Sequence, residues 1–218
     1  MARGGTDIRF SCRCGALTGT LKSVDPDEGT HALCHCASCR RALDLYGIPG
    51  TRAEGVGIFQ TTPDRIAIAQ GAEHLGVMKL SPKGLYRWYA KCCGTPMFNT
   101  ARGPKPAFVG VQTSCLSGTA PLGPVLAEGF MDTKPRHIGL ARMIWRFYRR
   151  ALAAHLVGRW RQTPFFDETG APVAEPELAP RRTATPSTPQ GSRRVPPVSA
   201  NALHLQGSPA ARRGSTGP

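Results

Sequence analysis

The sequence predicts a mainly β domain of small antiparallel strands, then one amphipathic helix and a disordered tail. Three observations lead there. Between residues 8 and 111 short β-type runs alternate with Gly, Pro, Asp and Ser. From 136 to 160 the apolar period lengthens from two to nearly four. Beyond residue 180 sizeable aliphatic side chains become sparse while Pro, Ser, Thr, Arg and Gly dominate, too little apolar surface to offset the entropy of ordering.

Taken in order, strands are expected at 8–10, 16–22, 57–60, 65–69, 77–80, 84–89 and 108–111. In the sixth run, Tyr86, Trp88 and Ala90 share one face and Leu85, Arg87 and Tyr89 the other, because side chains alternate along a strand. The first of these faces is the better core candidate. The helix is expected to run five or six turns, bounded by Pro135 and Gly158. Its apolar stripe would hold Ile138, Leu140, Met143, Ile144, Phe147, Leu152, Leu156 and Trp160, with Arg142, Arg146, Arg149, Arg150 and Arg159 beside or opposite it. The expected organisation is therefore a β domain over 8–132, a basic helix over 136–161, a packed or partly ordered extension over 162–180 and a tail over 181–218.

The net charge of +14 is unevenly placed. Residues 133–166 carry eight basic and no acidic side chains, so an anionic partner would meet the chain there or at the arginine pairs of the tail. An anionic membrane surface and nucleic acid are the partners that such a helix suggests, and packing of the helix against the β domain is the plainer outcome. No stretch reaches the roughly 18 apolar residues of a membrane span, and no signal-peptide pattern opens the chain. A reducing, cytoplasmic setting is expected, where clustered cysteines hold metal more often than they form disulfides.

Seven of the eight cysteines fall in three groups: Cys12 and Cys14; Cys34, Cys36 and Cys39; Cys92 and Cys93. Residues i and i+2 of an extended chain point to one side, so each Cys-x-Cys is a plausible half-site for zinc. Cys39 follows Cys36 by three residues, and a helix starting at Ala37 would bring all three thiols of the middle group together. The helix dipole with Arg40 and Arg41 would favour the thiolates that zinc requires. Three ligands leave a fourth position open, whereas four close the site, so these spacings admit either a catalytic or a structural metal. His35 lies between two ligand candidates with its ring expected to point away from them, and either a second-layer or an acid/base role is open to it. Arg40 and Arg41 could bind a substrate carboxylate or simply face solvent. His31 and His74 are further candidates for a fourth ligand, and Cys115 reads as a buried hydrophobe.

Three motifs carry a resemblance: Ser11-Cys12-Arg13-Cys14-Gly15-Ala16, Cys34-His35-Cys36-Ala37-Ser38-Cys39-Arg40-Arg41 and Cys93-Gly94-Thr95-Pro96, about 20 and then about 54 residues apart. In these the chain resembles the glutathione-dependent formaldehyde-activating enzymes and the centromere protein V group, and its segment Gly84 to Thr100 with Pro164-Phe165-Phe166 is similar to an uncharacterised bacterial branch of that family. The resemblance spans roughly residues 8–115. It implies a zinc-bearing β-tent fold with two zinc ions, one structural and held by Cys12, Cys14 and the late cysteine pair, the other of catalytic type on Cys34, Cys36 and Cys39. It further implies a carbon–sulfur lyase acting on a small thiol such as glutathione and an aldehyde. A noncatalytic zinc module that contacts nucleic acid, membrane or protein through its basic helix is the alternative. The chain departs from the pattern at Ala90, where the family has the first cysteine of the late pair. Cys92 is the expected substitute for it, provided that the chain turns sharply before Gly94, since adjacent residues of a strand face opposite sides; without that turn this zinc would be three-coordinate plus water, or absent.

Overall fold

A computed structural model describes residues 5–48 and 55–180, which belong to the unit Met1–Arg181. The expected tail lies outside the described residues. The fold is mainly β with two helices. Strands β1 (Thr6–Ser11), β2 (Thr18–Val24) and β5 (Ile66–Gln70) form a three-stranded antiparallel sheet in the order β1-β2-β5. The second sheet has nine strands. Its centre is built from β3 (Thr30–Cys34), β4 (Val56–Thr61), β6 (Leu75–Lys79), β7 (Tyr86–Ala90), β8 (Thr95–Thr100) and β9 (Val109–Gln112). Short strands β10 (Ala127–Gly129), β11 (His137–Ile138) and β12 (Pro176–Leu178) complete the order β11-β10-β3-β4-β9-β8-β7-β6-β12.

Strands β3, β8, β10, β11 and β12 extend the set expected from sequence. Two of the new pairings, β10 with β3 and β12 with β6, are parallel, so the larger sheet is mixed. Both bring C-terminal segments of three residues to the ends of the central sheet, and three residues are too few to show an alternation. Strand β8 carries no alternating signal for another reason: all six of its residues are buried, and polar and apolar side chains occur on both of its faces.

The main core lies between the sheets. Trp88 and Ala90 are fully buried and Tyr86 nearly so, which places the expected face of β7 inward. Phe165, from the segment after the second helix, packs on Trp88 at a ring separation of 5.0 Å and on Phe98 at 5.3 Å. Phe166 lies 6.0 Å from Trp88. The core thus draws on residues from Ile8 to Phe166.

Helix α1 (Ala37–Leu45) begins at Cys36, whose sulfur accepts the backbone N–H of Cys39 at 3.3 Å as an N-cap. Helix α2 (Leu140–Leu156) is shorter than the sequence pattern suggests. Before it, His137 and Ile138 pair with β10 and Gly139 turns the chain at φ +66°. A Cβ at Gly139 would fall 2.0 Å from the Leu126 carbonyl oxygen, so both the conformation and the space require glycine.

The orientation of α2 corrects the expected stripe. Arg146, Arg150 and Ala154 are its buried residues, while Ile144, Trp145, Tyr148, Leu152 and Leu156 face outward, Trp145 with 68% exposure. Leu140, Met143 and Phe147 remain on the inner side, Phe147 beside Phe108 at 5.6 Å. The reason lies in the turn before β3. Its carbonyls need donors: Arg146 bonds those of Pro26 and Gly29, Arg149 that of Asp27, and Arg150 that of Glu28 together with the Thr30 hydroxyl. A guanidinium supplies five donors, and the carbonyls that Arg146 and Arg150 reach, buried or partly buried, are costly to leave unpaired, whereas the Asp27 carbonyl lies at the surface.

Candidate metal centres

Two groups of cysteines converge. In the first, the turn from Ala90 to Gly94 reverses the chain between β7 and β8. The N–H of Gly94 donates to the Ala90 carbonyl at 2.7 Å, with Gly94 at φ +68°. That turn puts Cys92 and Cys93 on the same side as Cys12 and Cys14, and the four sulfurs lie within 4.8 Å of one another. Cys92 is 3.3 Å from Cys14 and 3.8 Å from Cys12, and the two early sulfurs are 3.6 Å apart. Bonds of about 2.3 Å to a tetrahedral zinc separate thiolates by ~3.8 Å. The four-cysteine group could therefore hold a metal ion with every ligand drawn from the chain. Thr95 supports it: its hydroxyl is 3.0 Å from the Cys93 sulfur and accepts the N–H of Arg13. Burial pushes the Cys92 thiol up to about 12, whereas bonds from Thr95 outweigh the same effect at Cys93 and bring that thiol down to about 6.

In the second group, β3 ends at Cys34 and α1 starts after Cys36, so the strand-to-helix corner gathers Cys34, Cys36 and Cys39 within 4.8 Å. Cys34 and Cys36 are 3.3 Å apart. The hydrogen bond that Cys36 accepts from Cys34, helped by the neighbouring Arg87 charge, holds the Cys36 thiol far below its usual value, and the same bond raises Cys34. These three cysteines lie on the wall of a cavity of about 340 Å3. Its remaining described lining is largely apolar, with Leu33, Ile58, Leu85, Phe108, Phe130 and Met143 prominent.

The charged residue of that lining is Arg87, which sequence reasoning did not select. It is 6% exposed, donates to Asn99 at 3.0 Å and Ser38 at 2.8 Å, and brings both terminal nitrogens to 3.9 Å from the Cys39 sulfur. The signal was a lone cation on the face of β7 opposite Trp88. Alternation showed the face but not what lay across it.

Arg40 and Arg41, the expected substrate cations, do not line the cavity. Arg40 bonds the His35 carbonyl and lies 4.0 Å from Asp132, and Arg41 bonds the Pro180 carbonyl at 2.6 Å. The His35 ring sits 3.6 Å from the Glu128 carboxylate and outside the cavity lining. His31 is engaged with the Gly123 carbonyl and His74 with Glu73, so neither joins a cysteine group. Cys115 is buried, donates to the Gln112 carbonyl, and has its thiol pushed up to about 12 by burial.

The sequence profile of DUF6151, a family of unknown function, matches residues 6–177. The chain belongs to this family. The match takes in both cysteine groups, the cavity and α2, so the segment after β9 is as much a part of the family as the strands. A crystal structure of a Rhodobacter sphaeroides protein from the Northeast Structural Genomics programme is similar at 22% identity and a TM-score of 0.39, over 54% of this chain and 96% of its own. No curated protein matches the chain. Among the described residues no helix is long and apolar enough to cross a membrane.

Proposed function

We propose that the three-cysteine group holds zinc and, with the cavity beside it, forms a carbon–sulfur lyase-like site that takes a small thiol and an aldehyde. The observation that carries this reading is the placement of three sulfurs and one buried guanidinium on the wall of a 340 Å3 cavity. The four-cysteine group would hold a second, structural zinc. The order of the cysteine motifs shared with the glutathione-dependent formaldehyde-activating and centromere protein V group supports both assignments, as does an all-thiolate donor set, which suits zinc. Cysteines gathered in metal-capable groups and not paired in disulfides suit a cytoplasmic, reducing setting.

When bound by three thiolates, zinc is redox-inert, keeps a fourth position, and lowers the pKa of a thiol placed there. Arg87 favours the anionic form of a sulfur brought to this wall, and Ser38 and Asn99 fix its position. Leu33, Ile58 and Phe108 exclude water from a carbonyl lying against that sulfur, which holds the two reactants at attack distance. The only cation of the described lining is Arg87. A thiol with an apolar body therefore suits these walls better than glutathione, whose two carboxylates would share one guanidinium.

Cobalt substitution tests the reading. Hexanethiol should add a sulfur-to-cobalt charge-transfer band, glutathione should do so more weakly, and Cys39→Ala should abolish it. A spectrum that neither thiol changes would end the lyase-like reading and leave a structural metal module.

The outward face of α2 favours a second reading, contact with an anionic membrane surface. Trp145, Tyr148, Leu152 and Leu156 form an exposed stripe with Arg142 and Arg149 beside it. Cosedimentation with phosphatidylserine vesicles, lost in Trp145→Ser and weakened by salt, would support it; no cosedimentation would remove it.

A further inference from the structure

The arginines of α2 meet others on the far side of a small cleft. Arg149 and Arg150 from α2, Arg159 from the turn after it, and Arg65 from the turn before β5 line a cavity of about 80 Å3 together with Glu28, Thr61 and Thr62. That is room for several waters at ~10–15 Å3 each on this measure, and so for one tetrahedral anionic group.

Charge is poorly balanced there. Arg65 pairs with Glu28 at 2.9 Å and Arg159 with the buried Asp64 at 3.6 Å, while Arg149 and Arg150 have backbone carbonyls and a hydroxyl as their partners. Four guanidinium groups thus face two carboxylates. Burial, with Arg146 and Arg149 close by, lowers Arg150 to about 10 although the Glu28 carboxylate pulls the other way. The Nε of Arg159 is buried without a hydrogen-bond partner.

We infer that this cleft is a binding site for a small dianionic oxyanion, a phosphate group, held by Arg65, Arg149, Arg150 and Arg159. Phosphate brings two negative charges against the two uncompensated cations, and its oxygens match the forked donors of arginine. The site joins α2 and its following turn to the strands, so occupancy would tie the helix to the β domain. It uses neither cysteine group and stands independently of the proposed lyase-like chemistry.

The test is calorimetric titration and thermal unfolding of the full zinc-loaded chain with inorganic phosphate, glycerol phosphate and, at matched ionic strength, sodium chloride. Phosphate should bind with one site per chain and raise the melting temperature, and chloride should not. Arg149→Gln and Arg65→Gln, both substitutions of partly or wholly exposed side chains, should each weaken phosphate at least tenfold while the ligand-free melting temperature stays near that of the parent. Glycerol phosphate separates two sources of the same chemistry: equal binding points to a phosphomonoester whose body lies outside the cleft, and much weaker binding to free phosphate. Equal effects of phosphate and chloride would overturn the inference, as would unchanged phosphate affinity in both variants.

Discussion

Removing the guanidinium of Arg87 would leave Asn99 and Ser38 without their donor and the three sulfurs without their neighbouring cation. Arg87→Leu should cost about 3 kcal/mol of stability, since hydrogen bonds from a charged donor are worth ~1.5–3 kcal/mol each and buried acceptors are left over. Urea unfolding checks this, and a loss below about 1 kcal/mol would mean that the charge has little structural part. At the other group, Cys92 is the residue on which closure depends. On the proposed two-zinc reading, Cys92→Ala should lower the metal content from two ions per chain to one, measured by metal analysis after purification without chelator. Two ions retained would show that Cys12, Cys14 and Cys93 suffice. Cys92 was legible in the sequence only as a substitute for the cysteine missing at Ala90. The tight turn with Gly94 that lets adjacent residues reach one point is a property of the backbone.

At the scale of elements, α2 carries two apolar stripes, one through Leu140, Met143 and Phe147 and one through Trp145, Tyr148, Leu152 and Leu156. Periodicity shows that the helix is amphipathic without deciding which face is covered. The carbonyls of residues 26–29 decide it by demanding donors, and Arg146 and Arg150 meet that demand. Arg150→Met should therefore destabilise the protein by about 3 kcal/mol, because one buried and one partly buried acceptor lose their partner. Leu156→Ser, on the outward face, should stay within about 0.5 kcal/mol. Chemical denaturation of the pair would reverse this order if the helix packed by its aliphatic side.

For the whole molecule, the segment after α2 is structural. Phe165 is fully buried among Trp88 and Phe98, and β12 closes one end of the large sheet. Phe165→Ala should cost ~3–5 kcal/mol, the range for an aromatic removed from a packed core, and a chain ended at residue 162 should fail to unfold cooperatively. Survival of cooperative unfolding in that truncated chain would show that the β domain stands without its extension. With zinc in the cysteine groups as proposed, its chelation should likewise lower the melting temperature, because binding to a site formed on folding contributes to folding stability.

By itself the sequence determined the mainly β character, the inward face of β7 and the grouping of the cysteines by spacing. These depend on local periodicity and on residues near one another in the chain. Tertiary structure alone decided the rest: the parallel end strands, the inversion of α2, the placement of Arg87, and not Arg40 or Arg41, on the cavity wall, and the cavity beside Cys34, Cys36 and Cys39. Each depends on what lies across a gap from a residue more than 40 positions away. A pattern of alternation states which side chains share a face. What a face meets is settled only when unpaired carbonyls, sulfurs and guanidinium groups from distant segments compete for the same space.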